Sequence, residues 1–350
     1  MLYQVKNPHG GDVYDGEIRL DFSANTNPFG TPDAIKNAIH GALNQVHQYP
    51  DPFCRELIGA ISRHEQLPAE YVLCGNGAAD LIYAFCEAIR PRRALELAPT
   101  FHEYTLALRR VGCAVERYML RKEQNFDLQE DILREIDLIS PDVLFLCNPN
   151  NPTGRTIDQE LLYRILEFCA KRKIYVFVDE CFLDLTEGEH SVKQYLESNT
   201  HLMILKAFTK SYGMAGIRLG YCLSGNSILL GRMSRASQPW NVSLLAQVAG
   251  VAALGETDFL RKTMELIASE RQWLCQELRA LGFWVCPGEA NYLLFYAGCD
   301  LHTGLRERGI AIRNCDNYQG LGSGWYRTAV RTHEENQELI AAMTAVMRKD

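Results

Sequence analysis

The feature that most constrains the fold is an alternation of short, mostly apolar runs with helical patterns between about residues 50 and 235. The apolar runs are too short to form helices, and they lie at 71–74, 93–97, 143–147, 174–178, 202–206 and 218–222. Helical patterns separate them, for example at 78–90, 102–111, 157–172 and 226–236. Because strands that are buried on both faces have continuous apolar runs, this order predicts a mostly parallel sheet covered by helices on both sides.

The pattern changes after about residue 240, where a smaller α+β unit is predicted. Its pieces are a long amphipathic stretch, two strand-like runs and a closing helical pattern, at 256–281, 291–296, 326–330 and 333–348. The first 35 residues are rich in Asn, Gly and Pro and show little periodicity. We therefore predict an N-terminal arm over 1–35, a large domain over 36–240 and a small C-terminal domain over 241–350. The arm is expected to contribute to the small domain and to the active site.

Composition excludes several classes of function. The net charge of −7 argues against a nucleic-acid-binding surface, because contacts to many phosphates need a concentrated basic surface. No stretch of about 18 apolar residues is present, and the N-terminus lacks the pattern of a signal peptide, so we expect no membrane span and a cytoplasmic location. The twelve cysteines include no C-x-x-C pair, so no metal site is predicted and the thiols are expected to be buried and reduced.

Polar or glycine-rich segments follow four of the predicted strands. They are GNGAAD at 75–80, NPNNPTG at 148–154, the Asp-Glu pair at 179–180 and KAFTKSYG at 206–213. In open parallel sheets, ligands bind beyond the carboxyl ends of the strands. The sequence therefore predicts a ligand site at this edge of the sheet.

The first two segments each have a functional and a purely structural interpretation. The glycines of 75–80 and the free N–H groups at the start of the following helix could bind a phosphate. A glycine turn without any ligand would have the same sequence pattern. The prolines and glycine of 148–154 predict a rigid loop whose Asn side chains could donate to a ligand oxygen, and a simple turn is again the alternative.

The other two segments carry charge at the ends of buried strands. Burying the carboxylate of Asp179 is costly unless a cation lies beside it. A protonated pyridine nitrogen would be such a cation, and so would the partner in a salt bridge. A third possibility is that Asp179 caps a helix. Lys210 lies between Thr209 and Ser211 and upstream of Arg218. Burial and a nearby arginine would lower its pKa, which a Schiff-base lysine requires, although a single lysine is usually a surface residue. Lys206 is expected to be structural.

Taken together and in this order along the chain, the glycine turn at 75–80, the loop at 148–154, Asp179, Lys210 and Arg218 resemble a known pattern. It is the pattern of the fold-type I enzymes of pyridoxal 5'-phosphate (PLP), the aspartate aminotransferase superfamily. The resemblance covers nearly the whole chain and implies an α/β fold with a mostly parallel seven-stranded sheet. Within it the chain resembles the histidinol-phosphate aminotransferase branch, and most of all the L-threonine-O-3-phosphate decarboxylases of cobalamin biosynthesis. The segments that carry this finer resemblance are HGGD at 9–12, DFSANTNPFG at 21–30, PTFHEY at 99–104, DECFLDL at 179–185 and the stretch 313–336.

The resemblance implies a set of cofactor-binding residues. Lys210 would hold PLP as a Schiff base, Asp179 would pair with the pyridinium nitrogen, Asn151 would bond the ring hydroxyl oxygen, and Phe101 would stack on the ring. The cofactor phosphate would be held by Thr209, Arg218 and the backbone N–H groups of Ala78 and Ala79. Tyr49 matches a tyrosine that reaches the phosphate from the neighbouring subunit, which implies a homodimer with shared active sites.

The resemblance also implies where an amino-acid phosphate would bind. Arg327 matches the arginine that binds the substrate carboxylate in bidentate geometry, and Asn151 lies on the substrate side as well. Candidates for the substrate phosphate are Arg313, His9 and Asn25, with Arg331 as a weaker candidate. In two places the chain departs from its relatives. Phe182 stands where many aminotransferases have a tyrosine, and Ala79 replaces an acidic residue.

The expected reaction is decarboxylation of L-threonine O-3-phosphate to (R)-1-amino-2-propanol O-2-phosphate. The alternative is amino transfer from histidinol phosphate to 2-oxoglutarate, because Arg327 could hold the carboxylate in either geometry. A remote alternative is a non-catalytic PLP-binding regulator, which usually carries a DNA-binding module ahead of the PLP domain.

Overall fold

The computed structural model describes residues 9–14, 16–188 and 190–348. The strands are β1 (Leu20–Asp21), β2 (Val72–Gly75), β3 (Arg93–Ala98), β4 (Ala114–Met119), β5 (Val143–Cys147), β6 (Tyr175–Asp179), β7 (Leu202–Ala207), β8 (Gly220–Leu223), β9 (Trp284–Val285), β10 (Tyr292–Tyr296), β11 (Ile310–Ala311), β12 (Arg313–Asn314) and β13 (Trp325–Ala329). The helices are α1 (Asp33–Ala42), α2 (Arg55–Glu65), α3 (Ala78–Ile89), α4 (Glu103–Arg110), α5 (Ile132–Ile139), α6 (Gln159–Arg172), α7 (Phe208–Ser211), α8 (Ser227–Ala236), α9 (Leu244–Ala253), α10 (Thr257–Ala280), α11 (Leu301–Arg306) and α12 (His333–Met347).

A seven-stranded sheet forms the centre of the fold, as predicted. Its strand order is β2-β8-β7-β6-β5-β3-β4, and only β8 runs antiparallel to its two neighbours. Strands β5, β6 and β7 are almost entirely buried because helices cover both faces, which explains their continuous apolar sequences. Their carboxyl ends lie side by side, so the segments that follow them meet at one edge.

Two details differ from the sequence-based expectation. The edge strand β4 was not among the predicted runs, because half-exposed AVERYM mixes charged with apolar side chains. The run 218–222 begins as a strand only at Gly220, because Arg218 has a φ of 61°, in the left-handed region where a strand cannot continue.

The C-terminal part packs a four-stranded sheet, in the order β12-β13-β10-β9, against α10, α11 and α12. The N-terminal strand β1 pairs in parallel with β11, and Phe22 is fully buried in the same hydrophobic cluster as Leu274, Phe295 and Met343. The N-terminal segment is therefore anchored on the C-terminal part, while the boundaries of the three predicted parts stay a prediction. None of the described helices is long and apolar enough to cross a membrane.

Candidate active site

A cavity of 240 Å³ lies at the carboxyl ends of β5, β6 and β7. Its walls are formed by His9, Gly10, Ser23, Ala24, Asn25, Ala78, Ala79, Phe101, Cys147, Asn151, Asp179, Cys181, Phe182, Ala207, Thr209, Lys210, Arg218, Tyr318 and Arg327. We call it the central cavity. Of the fourteen candidate site residues named from the sequence, eleven line it, and Tyr49, Arg313 and Arg331 do not.

Lys210 lies on the short helix α7, directly after β7, and its Nζ is 5.6 Å from the centre of the Phe182 ring. It makes no salt bridge within the described residues. Burial, followed by the positive charge of Arg327, lowers the pKa of Lys210 to about 8. A substantial fraction of the amine is then unprotonated near neutral pH, and an unprotonated amine can attack an aldehyde.

Lys206, one residue before the end of β7, is a contrasting lysine. Its Nζ lies 2.8 Å from a carboxylate oxygen of Asp184 and 3.3 Å from one of Glu65. These carboxylates, together with Glu180, raise the pKa of Lys206 despite its burial. This lysine stays protonated and is structural, whereas Lys210 is the lysine that faces the cavity.

Asp179 ends β6 and is 5% exposed. It accepts a hydrogen bond of 2.6 Å from the hydroxyl of Tyr104 and one of 2.9 Å from the backbone N–H of Cys181. Burial raises the pKa of Asp179, and these hydrogen bonds oppose that shift. The carboxylate forms no salt bridge within the described residues, so the salt-bridge alternative left open by the sequence does not account for it. A protonated ring nitrogen would supply the missing cation.

The turn between β2 and α3 forms the anion-binding end of the cavity. Helix α3 begins at Ala78, so its first N–H groups, which have no partner within the helix, point outward at a positive dipole end. Gly77 has a φ of 81°, and a Cβ there would lie 2.7 Å from Nη2 of Arg218. Only glycine lets the arginine come this close to the turn. Free helical N–H groups, a guanidinium and Thr209 on one wall suit a phosphate group.

Arg327 projects from β13 and is 5% exposed. Its Nη1 donates to Oδ1 of Asn151 at 2.5 Å, and its Nη2 donates to the carbonyl oxygen of Ser23 at 2.7 Å. Its buried Nε has no hydrogen-bond partner among the described residues, and neither does the buried Oδ1 of Asn25. Two unsatisfied polar atoms on the wall of one cavity are the kind of exception that a ligand resolves.

The remaining predicted residues lie in different surroundings. His9 lines the central cavity, but its Nε2 is 2.5 Å from a carboxylate oxygen of Glu103. Arg313 lines a neighbouring cavity and donates to Oδ1 of Asn317 at 2.7 Å. Arg331 is paired with Glu335 at 2.8 Å and does not reach the central cavity. The predicted phosphate cluster is therefore divided between two cavities.

Tyr49 is far more exposed than the other candidates. It is 79% exposed, and its ring lies 4.7 Å from that of Trp240. This side chain does not line the central cavity of its own chain.

Sequence reasoning missed four residues with a role in this geometry. Tyr104 bonds Asp179, Tyr318 lies 3.4 Å from Oδ1 of Asn151, and Cys147 and Cys181 line the cavity. Tyr104 lies on α4 whereas Phe101 precedes the helix, so no helical periodicity linked the two residues in the sequence. No pattern indicated Tyr318. Among the described residues, no group of three or more His, Cys, Asp and Glu side chains could hold a metal ion.

Several known proteins are similar to this chain over nearly its whole length. A threonine-phosphate decarboxylase from Salmonella typhimurium is 36% identical over 97% of this chain and 96% of its own. A bifunctional adenosylcobalamin biosynthesis protein from Leptospira interrogans is 31% identical over 97% of this chain, which matches 41% of that longer protein. The crystal structure of a histidinol-phosphate aminotransferase from Clostridium acetobutylicum superposes with a TM-score of 0.88, at 28% identity, over 95% of this chain and 100% of that one. The model of aminotransferase classes I and II matches residues 17–343, so the chain belongs to this family.

Proposed function

We propose that the protein is a PLP-dependent lyase that decarboxylates L-threonine O-3-phosphate to (R)-1-amino-2-propanol O-2-phosphate in cobalamin biosynthesis. The observation that carries the proposal is the central cavity, which brings Lys210, Asp179, Arg218 and Arg327 together. The choice of reaction is supported by the 36% identity to a threonine-phosphate decarboxylase. The relative that acts in adenosylcobalamin biosynthesis supports the pathway.

The residues of the cavity fit PLP from end to end. Lys210 supplies an amine for its aldehyde, and Asp179 supplies a buried carboxylate for its ring nitrogen. Arg218, Thr209 and the first N–H groups of α3 hold the phosphate, through Ala78 and Ala79. When bound, PLP draws electrons from the bonds at the α-carbon of an amino acid.

Two residues fix the ring laterally. Phe101 lines the cavity and packs against Tyr104, with 5.6 Å between ring centres, so its face is held in place for stacking. Asn151 accepts hydrogen bonds at Oδ1 from Arg327 and from Tyr318, which leaves its Nδ2 to donate to the ring oxygen. Because Phe182 has no hydroxyl, this Asn151 amide carries that task alone.

Arg327 anchors the substrate carboxylate. Its two terminal nitrogens are each held by a neighbouring oxygen, so the guanidinium is preoriented before substrate arrives. Arg327 would orient the carboxylate so that its bond to the α-carbon is the one that breaks, with release of carbon dioxide. Lys210, with a pKa of about 8, can then return a proton to the α-carbon.

The distal phosphate of the substrate is assigned to His9 and Asn25, which line the central cavity together with Lys210. The backbone of Asn25 is fixed, because its carbonyl oxygen accepts a 3.1 Å hydrogen bond from the side chain of Asn291. The side-chain amide of Asn25 would donate to the phosphate through Nδ2, because Oδ1, which lacks a partner among the described residues, can only accept. His9 would exchange Glu103 for the phosphate when substrate binds.

The second candidate is amino transfer from histidinol phosphate. The superposition with a histidinol-phosphate aminotransferase favours it, since the fold is shared. In that reaction Lys210 would remove the α-proton instead of returning one.

A homodimer in the cytoplasm completes the proposal. Large hydrophobic side chains are exposed on one stretch of the chain and on the loop before α9, namely Leu43, Val46, Tyr49, Phe53 and Trp240. A second copy of the chain would cover them, and Tyr49 would then reach the cofactor phosphate of that copy. All twelve cysteines are free thiols, which is typical of a reducing compartment.

The test is a product assay on the purified protein with both substrates. Carboxyl-labelled L-threonine O-3-phosphate should release labelled carbon dioxide, and Lys210→Ala should abolish the release. Fast amino transfer from histidinol phosphate to 2-oxoglutarate, with no carbon dioxide from threonine phosphate, would establish the second candidate instead.

A further inference from the structure

A second cavity of 160 Å³ lies beside the central cavity and shares Phe101 and Tyr318 with it. Its walls come from the end of β3, from α4, from β4 and from the segment 313–319. It is roughly ten times the 10–15 Å³ that a single water molecule needs. Three arginines line it, Arg109, Arg117 and Arg313, so we call it the arginine cavity.

Arg117 and Glu96 form the fixed part of this cavity. They are register partners on neighbouring parallel strands, and Nε of Arg117 donates to Oε1 of Glu96 at 2.9 Å. Nη2 of Arg117 also donates to the hydroxyl of Thr105 at 3.2 Å. These contacts hold one guanidinium at the base of the cavity before any ligand arrives.

The charge of the cavity is unbalanced. Three guanidinium groups face one carboxylate, that of Glu96. Arg109 is exposed and forms no ion pair or hydrogen bond within the described residues. Burial lowers the pKa of His102, which lines the same cavity. Arg117 is paired with Glu96, whereas the guanidinium of Arg109 is available to an anionic ligand.

Glu96 provides an independent sign of a ligand. It is 2% exposed, and its Oε2 has no hydrogen-bond partner among the described residues. Because Glu96 is paired with Arg117 as a carboxylate, this free oxygen is an acceptor, and it suits a ligand that carries a hydroxyl group, as a partly protonated phosphate does. A buried polar atom left without a partner costs stability unless a ligand satisfies it.

We propose that the arginine cavity is a binding site for a phosphate group, held by Arg109 and Arg117, with a protonated phosphate oxygen donating to Oε2 of Glu96. Guanidinium groups bind phosphate oxygens in bidentate geometry, and two of them on different walls can hold one phosphate. The ligand is either free inorganic phosphate or the distal phosphate of a substrate that extends past Phe101 and Tyr318, which would then bind here instead of at His9 and Asn25. The site does not depend on which reaction the central cavity catalyses.

The experiment measures binding of inorganic phosphate to the PLP-loaded protein by titration calorimetry. Arg109→Gln should bind phosphate about tenfold more weakly than the unchanged protein, as expected when one charge-assisted hydrogen bond is lost. Arg109 is exposed, so this change leaves the core intact. The matched control is Arg110→Gln on the same helix, because Arg110 lies over the ring of Tyr83 and does not line the cavity.

Equal phosphate affinity in Arg109→Gln and Arg110→Gln would overturn the proposal, as would the absence of phosphate binding to the unchanged protein. The KM for L-threonine O-3-phosphate distinguishes the two sources. If the substrate supplies the phosphate, Arg109→Gln raises this KM by a similar factor. If free phosphate is the ligand, the KM is unchanged while phosphate affinity falls.

Discussion

Lys206 lies near the end of β7, and Lys210 follows four positions later on α7. Replacing Lys206 by methionine should lower the stability of the protein, whereas replacing Lys210 by methionine should raise it. Lys206 neutralises Asp184 and Glu65, and removing it leaves these carboxylates close to each other and to Glu180. Breaking a buried ion pair by removing one partner costs about 3–5 kcal/mol. We expect Lys206→Met to lower the free energy of unfolding of the cofactor-free protein by that amount.

Lys210→Met should stabilise the cofactor-free protein at pH 7. Its pKa falls from the ordinary 10.5 to about 8 on folding, which corresponds to a penalty of about 3 kcal/mol as an upper limit. Because the folded pKa is the lower one, the penalty is fully present below pH 8 and disappears as the pH rises to 10.5. The gain from Lys210→Met should therefore shrink over that range.

The assay is urea unfolding of the cofactor-free protein and the two variants, at pH 7 and at pH 9.5. The reasoning is refuted if Lys206→Met is as stable as the unchanged protein. It is also refuted if Lys210→Met loses several kcal/mol, since that would mean that Lys210 has a stabilising partner.

Three further changes test the site directly. Tyr104→Phe removes the 2.6 Å hydrogen bond to Asp179 and should weaken PLP binding at least about tenfold, measured by cofactor titration; unchanged affinity would show that the hydroxyl does not support the carboxylate. Gly77→Ala places a Cβ 2.7 Å from Arg218 and should also lower PLP affinity, because the arginine must move; normal affinity and normal stability would argue against a phosphate cradle at this turn. Arg327→Lys should raise the KM for L-threonine O-3-phosphate by about tenfold or more, because a lysine cannot bind a carboxylate in bidentate geometry, and a normal KM would exclude the anchoring role.

The parts of the fold that could be predicted are those where burial alone determines the sequence. Strands β5, β6 and β7 are covered on both faces, and their apolar runs end within two residues of the observed strands. The half-exposed edge strand β4 has no such signal. The left-handed conformation of Arg218 was also not predictable, since it depends on the turn that it packs against.

The sequence predicted which residues form the candidate site, but not that they are divided between two cavities. Strand ends meet at one edge, so Asp179 and Lys210 were placed together correctly. The sequence does not show that Arg313 lines another cavity, which shares Phe101 and Tyr318 with the first, because that depends on where the segment 313–319 lies relative to β3 and α4. The contact between Tyr104 and Asp179 likewise joins residues 75 positions apart.

The central claim is that the bond broken at the α-carbon is the one to the carboxylate. Turnover of L-threonine O-3-phosphate in D2O, followed by mass spectrometry of the product, tests it most directly. We predict carbon dioxide and an amino-alcohol phosphate that keeps its original α-hydrogen and gains one deuterium at the same carbon. A 2-oxo acid phosphate, formed without carbon dioxide when an amino acceptor is present, would contradict the account.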